Sequence, residues 1–163
     1  MTPFTRSGAA LADIEAVYRA RFSKFCSVAA AILQNSEAGR DAVQDAFAKA
    51  VRNRREFRRE GSLDAWLWRA VVNTALSERR KAAANGPASI AREQVAETAE
   101  DDHVRAAIQR LPERQRVVVF LRYWADLDYA AIADALAIAP GTVAAALHAA
   151  HGSIRNSLQE VHS

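Results

Sequence analysis

The chain contains a single cysteine, Cys26, among 163 residues, so it cannot form an intramolecular disulfide. Its four histidines are scattered along the sequence, which excludes a cysteine-rich zinc site, and we expect neither a metal nor another cofactor. No stretch approaches the roughly 20 uncharged apolar residues that a membrane span requires. Residues 1–6 have no apolar leader segment behind their charge. These absences predict an untargeted, cytoplasmic protein without a membrane span.

Strand signals and catalytic motifs are missing as well. No run alternates apolar and polar residues around an Asn-Gly hairpin turn. There is no glycine-rich phosphate loop and no pair of carboxylates placed for acid–base chemistry. Cys26 lies inside an amphipathic helical pattern, where a thiol is expected to be inert. We therefore predict an all-α protein that is not an enzyme.

Helical periodicity dominates the first half of the chain. Large apolar residues recur every three to four positions across residues 9–33. The same spacing returns after Ser36 and again after Ser62, so we expect both serines to be helix N-caps. In the second of these helices, Trp66 lies on the apolar stripe and is expected in the core. The first half is therefore predicted to be a small helical bundle.

The second half carries shorter helical patterns. An amphipathic helix follows residue 104, and Pro112 opens the next one, where its missing N–H costs nothing. Two further helices are expected at 129–137 and at about 142–157, and Asp128 is a good N-cap for the first of them. This pair of short helices predicts a helix-turn-helix.

The net charge of +3 conceals an uneven distribution along the chain. Residues 1–81 hold 15 Lys and Arg against 9 Asp and Glu, whereas residues 104–163 hold six against five. Between them, residues 82–103 hold one arginine against five acids and few large apolar residues, so this segment buries too little to offset its ordering entropy. We predict two small helical domains, 9–81 and 104–160, joined by a flexible acidic linker at 82–103.

Motifs in both halves resemble one family. In the first half they are Asp41-Ala42-Val43-Gln44-Asp45-Ala46-Phe47 and Phe57 to Leu67, continuing through Arg69, Asn73 and Arg79-Arg80. In the second half they are Leu111-Pro112-Glu113-Arg114-Gln115-Arg116, Leu121-Arg122-Tyr123, Leu127 to Ala133 and Gly141-Thr142-Val143. The chain is similar, over nearly its whole length and in the right order, to regions 2 and 4 of the extracytoplasmic-function (ECF) bacterial RNA polymerase sigma factors.

The resemblance implies a subunit that gives RNA polymerase its promoter specificity. In this family, region 2 docks on the clamp coiled coil of the polymerase β′ subunit and then recognises and melts the −10 element of promoter DNA. Region 4 reads the −35 element and contacts the β flap. An anti-sigma factor that holds the protein inactive is a further expected partner. The alternative is a sigma-like adaptor that binds polymerase or a regulatory protein without starting transcription.

Candidate site residues in the first half combine aromatic and cationic groups. Melting a duplex requires surfaces that hold displaced bases beside cations that follow the phosphates. We predict that the loop from Phe57 to Ser62 captures bases and that Asn73 bonds a base edge. The predicted −10 set comprises Arg54, Arg55, Phe57, Arg58, Arg59, Ser62, Arg69, Asn73, Arg79 and Arg80. The polymerase-binding set that the resemblance implies comprises Asp41, Gln44, Asp45 and Lys49.

The recognition helix of the second half departs from the family pattern. Family members follow Gly-Thr-Val with a basic or polar run, whereas here the run is Ala144-Ala145-Ala146-Leu147-His148-Ala149-Ala150-His151. No lysine or arginine lies between Tyr123 and Ile154, so the helix lacks the phosphate contacts that supply most sequence-independent affinity. The predicted −35 set is Arg122, Thr142, Ala145, Ala146 and His148.

Three interpretations of this alanine-rich helix stay open. In the first, it enters the DNA groove, anchored by its N-terminal N–H groups, by Thr142 and by four arginines. Those arginines are Arg114, Arg116, Arg122 and Arg155. In the second interpretation the helix packs against protein, since alanine lets helices approach closely. In the third, its DNA-contacting residues have been replaced by alanine. His148 and His151 share a face, but no third metal ligand is in view, and their protonated forms would make weak phosphate contacts.

Overall fold

The computed structural model describes residues 8–59, 61–85 and 99–163, and for 99–101 the backbone alone. Every regular element in these ranges is helical, which confirms the predicted all-α class. The elements are α1 (Leu11–Leu33), α2 (Ser36–Arg52), a 3-10 turn (Arg54–Glu56), α3 (Leu63–Ala84), α4 (Ala99–Gln109), α5 (Glu113–Tyr123), α6 (Tyr129–Leu136) and α7 (Pro140–Val161).

Two of the predicted N-caps are confirmed. The Ser62 hydroxyl accepts a hydrogen bond from the N–H of Ala65 at 3.0 Å, and the Asp128 carboxylate accepts one from the N–H of Ala131 at 2.8 Å. These bonds satisfy N–H groups that have no partner within the first turn of a helix.

The predicted cap at Ser36 is wrong by one residue. Asn35 is the N-cap of α2, and its side chain accepts from the N–H of Ala38 at 2.8 Å. Gln34, in the left-handed conformation with φ 56°, turns the chain out of α1 and leaves Asn35 extended. Asparagine and serine cap equally well, so only the backbone path selects between them. Similarly, Pro112 occupies the N-cap position of α5 rather than its first helical residue.

The core of the first half is aromatic. Phe25 of α1 lies between Phe47 of α2 and Trp68 of α3, with ring centroids 5.2 and 4.2 Å apart, and Trp68 is fully buried. Trp66, which is expected in the core, is only half-buried and packs against the edge of the core. Trp68 shares its face with the buried Val71, Val72 and Ala75, at the i, i+3, i+4 and i+7 spacing of an inward helix stripe.

The second half is built around a sharp helix-turn-helix. Helices α6 and α7 are bent by 104° with respect to each other, within the range for this motif. The run Val117–Val119, which is ambiguous in sequence, lies in α5 and is buried. Within the described residues no single helix is long and apolar enough to cross a membrane, and only α6 and α7 taken together reach that length and composition.

The two halves pack against each other. Helix α6 lies on α3 and α5 lies beside α1, and one continuous cluster of buried residues runs through both halves. Two ion pairs cross this contact, between Lys24 and Asp126 at 3.1 Å and between Arg79 and Glu113 at 3.0 Å.

Helix occupies both ends of the segment that was predicted as linker. Helix α3 continues to Ala84, because alanine is the best helix former and extends the last turn, and α4 begins at Ala99. Residues 82–84 and 99–103 of this segment are therefore helical, and Asn85 is the C-cap of α3. The remaining linker residues, 86–98, lie outside the described residues.

Candidate nucleic-acid interface

The connection between α2 and α3 carries four arginines on a constrained backbone. We call residues Arg54–Arg59 of this connection the arginine loop. Helix α2 ends at Arg52, and Asn53 then accepts the N–H of Glu56 at 2.9 Å, which closes the 3-10 turn. The Arg54 guanidinium turns back and donates to the carbonyl of Val51 at 2.8 Å. Arg54 is thus a structural cap of α2, and its charge is half-buried.

Aromatic packing holds the arginine loop against the rest of the protein. Phe57 is only 7% exposed, and its ring centroid lies 5.5 Å from that of Trp66. Of this pair, Trp66 is the ring with part of its surface open to solvent. The stacking surface at this site is therefore offered by Trp66, whereas Phe57 anchors the loop to the core.

Arg58 and Arg59 extend from the far end of the arginine loop. Both side chains are exposed, and no described residue forms an ion pair with either of them. Residue 60 of the predicted base-capturing loop lies outside the described residues, and the hydroxyl of Ser62 is occupied in capping α3. Two exposed guanidinium groups beside an aromatic edge make a surface suited to a nucleic-acid strand.

The polar face of α3 extends this cationic surface. Arg69, Asn73 and Arg80 are all exposed, and their separations of four and seven residues place them on one side of the helix. Arg79 differs, because its guanidinium donates to the carbonyl of Ile32 at 2.8 Å and pairs with Glu113 of the second half. In this arrangement Arg79 bridges the two halves, and Arg55, Arg58 and Arg59 join the α3 residues on the exposed surface.

The predicted polymerase-binding residues form a separate surface on α2. Asp41, Gln44, Asp45 and Lys49 are all exposed, and Lys49 pairs with Asp45 at 2.9 Å. Asp41 and Asp45 line one wall of a groove of about 480 Å³. The opposite wall is the end of α3, where Glu78, Lys81 and Asn85 lie.

Sequence reasoning did not find these α3 residues of the groove. Glu78 and Lys81 pair with each other at 3.3 Å across one helical turn, so they read as an ordinary solvated i, i+3 pair. Only the antiparallel packing of α2 and α3 brings them opposite Asp41 and Asp45.

The alanine-rich helix α7 presents a face of small, uncharged side chains. Ala144, Ala145, His148 and Ala149 are exposed, whereas Ala146 is only 9% exposed and belongs to the core. Among the predicted −35 contacts, Ala146 is therefore directed inward. His151 meets the hydroxyl of Tyr123 at 2.7 Å on the surface between α7 and α5.

Two of the arginines expected to anchor α7 on DNA donate to backbone carbonyls of the protein instead. Arg116 is 4% exposed, and its guanidinium donates to the carbonyl of Gln109 at 3.3 Å. It is therefore not available to a phosphate. Arg122 donates to the carbonyl of Leu127, also at 3.3 Å, and fixes the turn before α6.

No other chemistry stands out in the part of the chain that the structure describes. Burial raises the pKa of the Cys26 thiol, and Arg40 opposes this only in part, so the thiolate is disfavoured at neutral pH. Among the described residues no group of three or more His, Cys, Asp or Glu side chains is placed to hold a metal ion.

Comparison with known proteins shows which family this chain resembles. Residues 17–85 match the family model for Sigma-70 region 2, and residues 102–150 match that for Sigma-70, region 4. The RNA polymerase sigma-H factor of Pseudomonas aeruginosa is 29% identical over 147 residues, which cover 78% of this chain and 76% of that protein. The ECF RNA polymerase sigma-E factor of Haemophilus influenzae is 30% identical over 142 residues, with 73% and 74% covered.

A solved structure agrees with the fold. The sigma factor RpoE of Bartonella quintana, crystallised with the anti-sigma factor NepR, superposes with a TM-score of 0.76 at 20% identity, over 91% of this chain and 98% of that one. The order of the two matched regions, the identity to curated relatives and the helical architecture agree. The chain therefore belongs to the ECF RNA polymerase sigma factors.

Proposed function

We propose that this sigma factor opens promoters mainly through residues 9–81, and that its helix-turn-helix unit, residues 104–160, adds little base readout. The observation that carries this proposal is the contrast between the two exposed surfaces. The arginine loop and α3 present five exposed arginines, whereas residues 144–151 of α7 expose only alanine and histidine, and Arg155 is the one arginine of that helix. Because phosphate neutralisation supplies most sequence-independent affinity, DNA is held far better by the first surface.

Each part of the first surface has a separate task in this proposal. Arg58 and Arg59 follow the phosphates of the displaced strand, and Trp66 offers the ring on which a base stacks. Asn73, on the same side of α3 as Arg69 and Arg80, bonds a base edge. Phe57, Arg54 and Ser62 hold the backbone that carries these groups.

The α2 surface and its groove are proposed to bind core polymerase. The groove rim carries three carboxylates, those of Asp41, Asp45 and Glu78, against one lysine, Lys81, and so remains acidic. With an apolar floor that includes Leu33 and Ala42, it suits a basic helical segment. The β′ clamp coiled coil is the expected occupant, and the β flap is expected to meet the second half. This surface does not overlap the arginine loop, so polymerase and DNA can bind together.

Regulation and location follow from the same family membership. The Bartonella quintana relative is bound to an anti-sigma factor, and we propose that an anti-sigma factor also binds this protein. We further propose that it acts in the cytoplasm, where polymerase and promoter DNA lie, and that it contributes binding rather than catalysis. The conserved polymerase carries the chemistry of RNA synthesis.

In-vitro transcription tests this function. Core polymerase is combined with the full protein and a library of genomic fragments, and the RNA start sites are mapped. We expect holoenzyme formation and initiation at a defined set of promoters. Polymerase binding without promoter-dependent RNA would instead establish the adaptor alternative. Absence of polymerase binding would reject the proposed function and leave an adaptor that binds a regulatory protein.

A further inference from the structure

The first described residues of the chain lie against the arginine loop. The N–H of Gly8 donates to the carbonyl of Phe57 at 3.0 Å, and the N–H of Ala9 donates to the carbonyl of Arg54 at 2.8 Å. These two main-chain bonds connect segments that are about 45 residues apart in sequence. We call Gly8–Ala9 the strap. It is the entry to α1, which begins at Leu11 and belongs to the core of the first half.

The strap requires glycine at its first position. Gly8 has φ +111°, a conformation that side chains other than that of glycine rarely adopt. A Cβ atom at this position would lie 3.0 Å from the carbonyl oxygen of Arg54 and 3.0 Å from the Cα of Arg55. Both neighbours are backbone atoms that cannot rotate away. Any larger side chain must therefore move the strap and the arginine loop apart.

The two bonds hold the loop at the two residues that support its exposed end. Arg54 is fixed three ways, since its carbonyl accepts from Ala9, its guanidinium caps α2 and its backbone starts the 3-10 turn. Phe57 is fixed by its buried ring and by the bond from Gly8. Arg58 and Arg59 come directly after Phe57, so the backbone that carries them begins at a fixed residue. Ordering a binding loop beforehand removes an entropy cost that would otherwise be met when the strand binds.

We propose that Gly8 and Ala9 are positioning residues for promoter melting, which they serve by holding the arginine loop in the shape that receives the displaced strand. This inference rests on the proposed function of the arginine loop. The strap touches no DNA itself, and it lies away from the α2 groove. It therefore acts on strand capture and leaves polymerase binding unchanged.

The test compares Gly8→Val and Gly8→Ala with Gly152→Ala in the full-length protein. The control is the same kind of change at a helical glycine whose added Cβ meets nothing within 4 Å. We measure the amide hydrogen exchange of the free protein and the affinity with which it forms holoenzyme. The rate of promoter opening is followed with 2-aminopurine in the −10 element. For Gly8→Val we expect faster exchange at residues 8, 9 and 56, unchanged holoenzyme affinity, and opening slowed about tenfold, which is about 1.4 kcal/mol on the barrier.

Gly8→Ala, which adds only the Cβ, is expected to slow promoter opening by a smaller factor. It replaces Gly8→Val in all three measurements if Gly8→Val impairs folding. Opening at the wild-type rate in a folded variant with faster exchange would overturn the inference and leave the proposed function intact. Equal losses of polymerase binding and opening would also overturn it, because they indicate a general structural defect. A wild-type protein that binds no polymerase would overturn the proposed function itself.

Discussion

Gly39 lies where the backbones of α1 and α2 meet. A Cβ atom there would lie 2.5 Å from the backbone nitrogen of Ala30, a distance that no side-chain rotation relieves. We predict that Gly39→Ala destabilises the protein by about 1–3 kcal/mol, the range for overpacked interiors. Urea unfolding followed by circular dichroism measures this. Gly152→Ala serves as the control, since its Cβ meets open space and helix propensity favours alanine. Equal stability of the two variants would contradict the close approach.

Arg58 and Arg59 are the exposed cations at the far end of the arginine loop, and the prediction for them concerns the salt dependence of DNA binding. Each phosphate contact on a single strand contributes about 0.7 to the slope of log affinity against log salt concentration. The double change Arg58→Ala and Arg59→Ala is therefore expected to reduce this slope by about 1.4 for binding to pre-melted promoter DNA. The matched change of His148 and His151 to alanine should leave the slope near its wild-type value. A larger effect from the histidines would place the main DNA contact on α7.

Helix α7 can meet a partner only through one of its faces. Its buried stripe of Val143, Ala146, Leu147 and Ala150 packs inward, so only the opposite face can meet a partner. Neither Arg116 nor Arg122 is free to anchor that face, since both hold backbone carbonyls. The interpretation in which α7 enters the groove now depends on its N-terminal N–H groups, Thr142 and outlying arginines.

A single added cation separates the interpretations of α7. If the helix faces DNA, Ala145→Arg places a guanidinium on the phosphates and steepens the salt slope for duplex promoter binding by about 0.9. If the helix packs against protein, the same change leaves DNA binding unaltered. Filter binding of holoenzyme over a range of salt concentrations measures the slope. Ala12→Arg, at an exposed position on α1, controls for the added net charge.

At the scale of the whole molecule, the contact between the halves covers part of the predicted DNA-binding set. Arg79 is paired with Glu113 and is bonded to Ile32, so it reaches DNA only when the second half moves away. Both crossing ion pairs are partly exposed, so each contributes about 0–1 kcal/mol and is screened by salt. The apolar packing of α6 on α3 therefore supplies most of the stability of the closed arrangement.

Charge reversal at this contact tests its contribution. Glu113→Arg sets a second guanidinium against Arg79. Because the apolar packing of α6 on α3 supplies most of the stability, we expect the halves to stay together, with an unchanged radius of gyration in small-angle X-ray scattering. Adding Arg79→Glu restores an opposite-charge pair and is expected to leave the radius unchanged as well. A larger radius in the single variant that the double variant reverses would mean that the ion pair determines the arrangement.

Much of this protein follows from its sequence because periodicity and capping are local properties. The spacing of apolar residues predicts the helices, and Ser62 and Asp128 mark where two of them begin. The motifs on α2, α3 and the helix-turn-helix lead to the family, and the comparisons confirm it. The absence of cations from Tyr123 to Ile154 identifies the atypical helix without any coordinates.

What only the tertiary structure decided is which of several equivalent side chains faces inward and which polar groups meet. Trp66 and Trp68 both fit a helical stripe, and only the position of Phe25 places Trp68 in the core. Arg79, Arg116 and Arg58 look alike in sequence, yet Arg79 bridges the halves, Arg116 is buried and bonds the carbonyl of Gln109, and Arg58 is exposed. The strap joins residues far apart in the chain, and its contact depends on how the backbone of one segment passes another. Such pairings are determined by packing, which no local pattern records.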